Sequence, residues 1–77
     1  MKDTISYINF LFDNSENSIN GKKLVLYEFM NHLSIIVNRF TIVSLEEHIL
    51  LNKFLSCVYI SLEDKNELKL YYNSLIN

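Results

Sequence analysis

His32, His48, Cys57 and a scatter of carboxylates are the side chains best suited to chemistry in this 77-residue chain. Metal sites legible in a sequence place their ligands three or four residues apart on a helix, or in paired Cys/His clusters. The two histidines stand 16 positions apart. Glu47 and His48 are neighbours, so on a helix they point about 100° apart and form no facial pair. Both histidines read as partly exposed surface groups. The single Cys falls on an apolar helix arc near its C-terminal end, where the dipole disfavours a thiolate. It reads as a small core hydrophobe. One Gly rules out a phosphate-cradling loop. Glu46, Glu47, Glu63 and Asp64 fall in first helical turns, where they complement the macrodipole. No nucleophile, base and acid can be grouped from what remains. The sequence therefore points away from an enzyme and implies neither a cofactor nor a metal.

The elements that would carry these residues are helical. From 22 to 40, Val25, Leu26, Phe29, Met30, Leu33, Ile36, Val37 and Phe40 share one arc about 140° wide at helical spacing. Lys22 is the only polar residue on that arc, placed where its side chain can reach past the helix start. Ser44-Leu45-Glu46-Glu47 matches a capping box and opens a helix to about residue 59. Its inward side is Leu50, Leu51, Phe54, Leu55, Cys57 and Val58. Ser61-Leu62-Glu63-Asp64 repeats the cap chemistry, and a last helix over 62–76 turns Leu68, Tyr71, Tyr72, Leu75 and Ile76 inward. Ile5, Ile8, Leu11 and Phe12 give a first helix over 4–12, since a lone strand would have no partner. Residues 13–21, rich in Asn, Ser and Asp and holding the only Gly, read as the one long loop. Residues 41–43 form a short connector. The expected fold is all-α: a compact bundle of three to four helices with short connections, one domain over 1–77, with Phe29, Leu33 and Phe54 at its centre.

Composition narrows the class. Hydrophobic residues make up 49% and charged residues 21%, which excludes a disordered chain. A net charge of −2 argues against a protein that coats nucleic acid. The longest apolar runs, 24–27 and 57–60, fall far short of the roughly 20 residues a membrane span needs. Asp3 sits where a secretory leader would be basic, and one Cys fits a reduced compartment, so the expected location is cytoplasmic. Ten Asn and nine Ile with no Ala, Pro or Gln mark AT-rich coding, as in a low-GC bacterium, its phage or a plasmid.

What chemistry leaves unexplained is surplus apolar surface. Leu24, Tyr27 and Ile35 project from the polar side of the second helix, among Glu28, Asn31 and Asn38. Leu24 and Ile35 lie about 20° apart around the axis and about 16 Å apart along it. Ile49, Leu45 and Leu70 also lie off their inner arcs. Contiguous apolar patches mark interfaces, although a doubly packed central helix gives the same pattern. The function this favours is a small non-catalytic protein–protein interaction module, a regulator or inhibitor that occupies a partner's surface or its own twin's as a homodimer. Two alternatives stand beside it: a helix-turn-helix-like DNA-binding regulator, weakened by the acidic first turn of the last helix, and a structural subunit of a larger assembly.

Overall fold

Four helices and no strand run through the described residues: α1 (Thr4–Asn14), α2 (Ile19–Asn38), α3 (Leu45–Leu55) and α4 (Leu62–Ile76). The computed structural model describes residues 4–38 and 44–76, with the backbone alone at 37, 38, 75 and 76. Phe40, the connector 41–43 and the side chains of Val37, Leu75 and Ile76 therefore lie outside the described residues. The class is all-α, as the periodicity requires. No helix among these residues is long and apolar enough to cross a membrane.

The first correction concerns the expected long loop, which shrinks to residues 15–18. Ser18, read as loop, caps α2: its hydroxyl accepts the Gly21 N–H at 3.0 Å, and its carbonyl accepts the Lys22 N–H at 3.1 Å. Gly21 is then a helical residue whose missing side chain lets the loop close. A Cβ there would lie 2.5 Å from the Glu16 carbonyl oxygen, a clash with backbone that cannot swing away. The end of α1 is satisfied by side chains. Asn14 Nδ2 donates to the Phe10 carbonyl at 2.9 Å, and Ser15 Oγ donates to that of Phe12 at 2.8 Å. Lys22 reaches past the start of α2, as expected, and its ammonium donates to the Phe12 carbonyl and to Ser15 Oγ at 2.8 and 2.7 Å. A buried cation thus holds the C-terminal, negative end of α1 against α2.

The second correction concerns α3, which stops at Leu55 rather than near 59. Ser56 donates its N–H to the Asn52 carbonyl, and two further turns follow, Cys57 N–H to the Phe54 carbonyl and Ile60 N–H to the Cys57 carbonyl. Val58, Tyr59 and Ile60 are β-branched or aromatic and gain little from helix continuation. Leaving it lets Ile60 enter the core. Val58, expected inward, is 85% exposed, and Cys57 is only half-buried at the core's edge.

Phe54 joins three helices at the centre. It meets Phe12 of α1 edge-on at 4.9 Å and stacks on Phe29 of α2 at 5.3 Å. Leu33, Leu26, Leu50 and Leu68 close around these rings, with Ile5 and Ile8 from α1 and Tyr72 from α4. α1 packs on both α2 and α3, and α4 packs on α2. The molecule measures 33 × 30 × 17 Å, so its thin direction has room for no more than two helix layers. Every helix consequently keeps an outward side.

Candidate protein-binding surface

Leu24, Tyr27 and Ile35 all lie on the outward side of α2, exposed by 68, 53 and 44% respectively. The opposite side of the same helix buries Lys22, Val25, Leu26, Phe29, Leu33 and Ile36. The apolar residues in question are therefore outside the core, and no second layer covers them among the described residues.

The three do not share one environment. Tyr27 lies about 60° around the helix from Leu24. The Lys23 ammonium sits 5.9 Å from the Tyr27 ring centroid. The Tyr27 hydroxyl, and then Asp64 of α4, hold that ammonium above the ordinary lysine range. Leu24, by contrast, opens onto a groove of ≈ 550 Å³ between α2 and the end of α1, lined by Leu11, Asn14, Glu16, Val25 and Glu28 among others. Its floor is apolar and its charged residues are the two glutamates. The wall from α1 escaped sequence reading because it depends on how the α1–α2 turn closes. The Ser18 cap and Gly21 were the signal for that turn.

Apolar exposure extends beyond α2. Tyr7 and Phe10 of α1, Leu45 and Ile49 of α3, and Leu62 and Leu70 of α4 are all exposed. Single exposed apolar residues are ordinary.

The chain matches no family model, no curated protein and no solved structure.

The remaining polar cluster has a structural explanation. Glu47, buried on α3, accepts the Ser44 N–H at 3.0 Å through Oε2, completing the capping box, and the Ser44 hydroxyl bonds to the same oxygen. Its Oε1 lies 2.9 Å from His32 Nε2 across on α2. His32 is thus largely buried and paired, a correction to its reading as a surface residue, whereas His48 is exposed with its ring edge against Tyr72. The Ser44 hydroxyl meets the carboxylate rather than an imidazole, so the three residues do not form a nucleophile–base pair. No group of three or more metal-ligating side chains occurs among the described residues. Lys53 bridges α3 to α1 by donating to Asn9 at 2.6 Å and Asp13 at 3.0 Å. Among the described residues, the buried Tyr72 hydroxyl has no hydrogen-bond partner. Burial raises its phenol above the ordinary value, and the Glu47 charge adds to this.

Proposed function

We propose that the protein is a small non-catalytic binding module that acts by placing the outer side of α2 against another protein. The observation that carries this reading is a single helix with two distinct sides. One is wholly committed to the core, and the other presents Leu24, Tyr27 and Ile35 to solvent. Large apolar side chains exposed beside polar neighbours such as Glu28 and Asn31 resemble the anchor-and-rim composition of interfaces. A regulator or inhibitor of this kind needs no reactive group of its own, because occupying a partner's surface is the whole activity. The acidic first turn of α4, with Glu63 and Asp64, speaks against inserting that helix into a DNA groove.

The test is affinity capture from the native cell with the wild-type chain and with Leu24→Ser/Ile35→Ser in parallel. The reading predicts a protein retained by the first and lost by the second. An identical captured set from both would contradict it.

A further inference from the structure

We infer that the groove between α1 and the outer side of α2 receives a cationic amphipathic helix of the partner protein. This rests on the protein-binding reading above and adds the partner's chemistry to it.

The groove combines an apolar floor with an uncompensated negative rim. Leu11, Leu24 and Val25 supply the floor, and Glu16 and Glu28 are its only charged residues among the described residues. Both glutamates are exposed, and neither carboxylate has an ion pair or hydrogen bond among the described residues. The nearest lysines on α2 are already engaged. Lys22 is buried under the end of α1, and the Lys23 ammonium lies over the Tyr27 ring, 5.9 Å from its centroid. An apolar ligand without charge would cover this floor while leaving two carboxylates partly desolvated beside it, which costs binding energy. A ligand that sets an aliphatic or aromatic side chain on the floor and a Lys or Arg at each rim position satisfies both features at once.

The length and charge select among occupants. Along α2 the groove runs from Gly21 to Glu28, about 10 Å or two helical turns. A partner helix covers that length with side chains at i, i+3 or i+4 and i+7 on one face, the helix-in-groove mode of recognition. A second copy of this chain would bring its own Glu28 and Glu16 toward these, like against like. Nucleic acid and anionic lipid are repelled by the same charges.

The probes are two fluorescent synthetic peptides of about four helical turns with the same leucine pattern, one otherwise lysine and the other glutamate. Both are titrated into the full chain at low salt by anisotropy, with backbone amide shifts mapping the contact. The inference predicts that the Leu/Lys peptide binds and shifts amides at Leu11, Glu16, Leu24 and Glu28, while the Leu/Glu peptide binds at least tenfold more weakly. Glu16→Gln/Glu28→Gln should weaken the Leu/Lys peptide about tenfold, with an unchanged melting curve, and added salt should do the same to the wild type. No binding of the Leu/Lys peptide, equal binding of both peptides, or indifference to the Gln variants overturns the cationic partner. The outer side of α2 then stands or falls separately, on whether Leu24→Ser/Ile35→Ser loses the captured cellular protein.

Discussion

Phe54→Ala is the perturbation whose size follows most directly from the packing. The ring is fully buried and touches Phe12 on one helix and Phe29 on another, so its loss opens a cavity where α1, α2 and α3 meet. Truncating a buried Phe costs about 3–5 kcal/mol in transfer and cavity terms. The two ring pairs, each about 0.5–1.5 kcal/mol beyond area, place this site toward the upper end of that range. A 77-residue domain has about 4–12 kcal/mol in total. At about 4–8 °C per kcal/mol, the melting temperature should fall by about 12–40 °C, leaving the variant largely unfolded at 37 °C if the wild type is ordinary. Phe54→Leu keeps most of the volume but loses both ring pairs, and should cost about 1–3 kcal/mol. Phe10→Ala, at an exposed position on α1, should stay within about 0.5 kcal/mol. The assay is circular dichroism melting of all three beside the wild type. A cooperative Phe54→Ala transition within a few degrees of wild type would refute the central packing of α3.

Lys22→Met should destabilise by about 1–2 kcal/mol in urea denaturation. It removes three charge-assisted bonds at the end of α1 and recovers only the desolvation of one ammonium; an unchanged midpoint would show that the cation does not hold that junction. Ser44→Ala and Ser61→Ala should each cost about 1 kcal/mol, since Ser44 shares the capping box with Glu47 and Ser61 Oγ accepts the Asp64 N–H at 3.1 Å. Thermal melts check both. Tyr72→Phe should stabilise by about 1 kcal/mol near neutral pH, because the deleted hydroxyl is buried and, among the described residues, unpaired. The same variant reports a pH effect. Tyr72 is held above the ordinary 10.0, so the folded state keeps its proton where the unfolded chain ionises, and its stabilising share is present below pH 10.0 and lost above it. Denaturation midpoints measured up to pH 11 should fall more steeply for the wild type than for Tyr72→Phe.

The long arc of α2 was legible because its helical period is unbroken over five turns, and Phe29, Leu33 and Phe54 lie where arc centres placed them. Boundaries were less legible for identifiable reasons. Ser18 and Gly21 sit in a run of polar residues whose local bonding competes with helix, so a cap looked like more loop. Val58 continues the apolar period of α3 beyond its end, because Ile60 is drawn into the core by a turn rather than by helix continuation. The His32–Glu47 pair joins residues 15 apart on separate helices and has no local signature. At the candidate surface, α2's own residues were readable from one helix wheel. The wall from Leu11 and Glu16 required the tertiary closure of α1 on α2.

Leu24→Ser/Ile35→Ser, melted by circular dichroism and assayed for association in the same sample, tests the central claim most directly. Both residues are exposed, so the account predicts a melting temperature within a few degrees of wild type. It also predicts loss of binding to the captured partner by about thirtyfold or more, the scale of an interface anchor. A collapsed melting curve would return these residues to the core, and intact association by a folded variant would place the binding surface elsewhere or nowhere on α2.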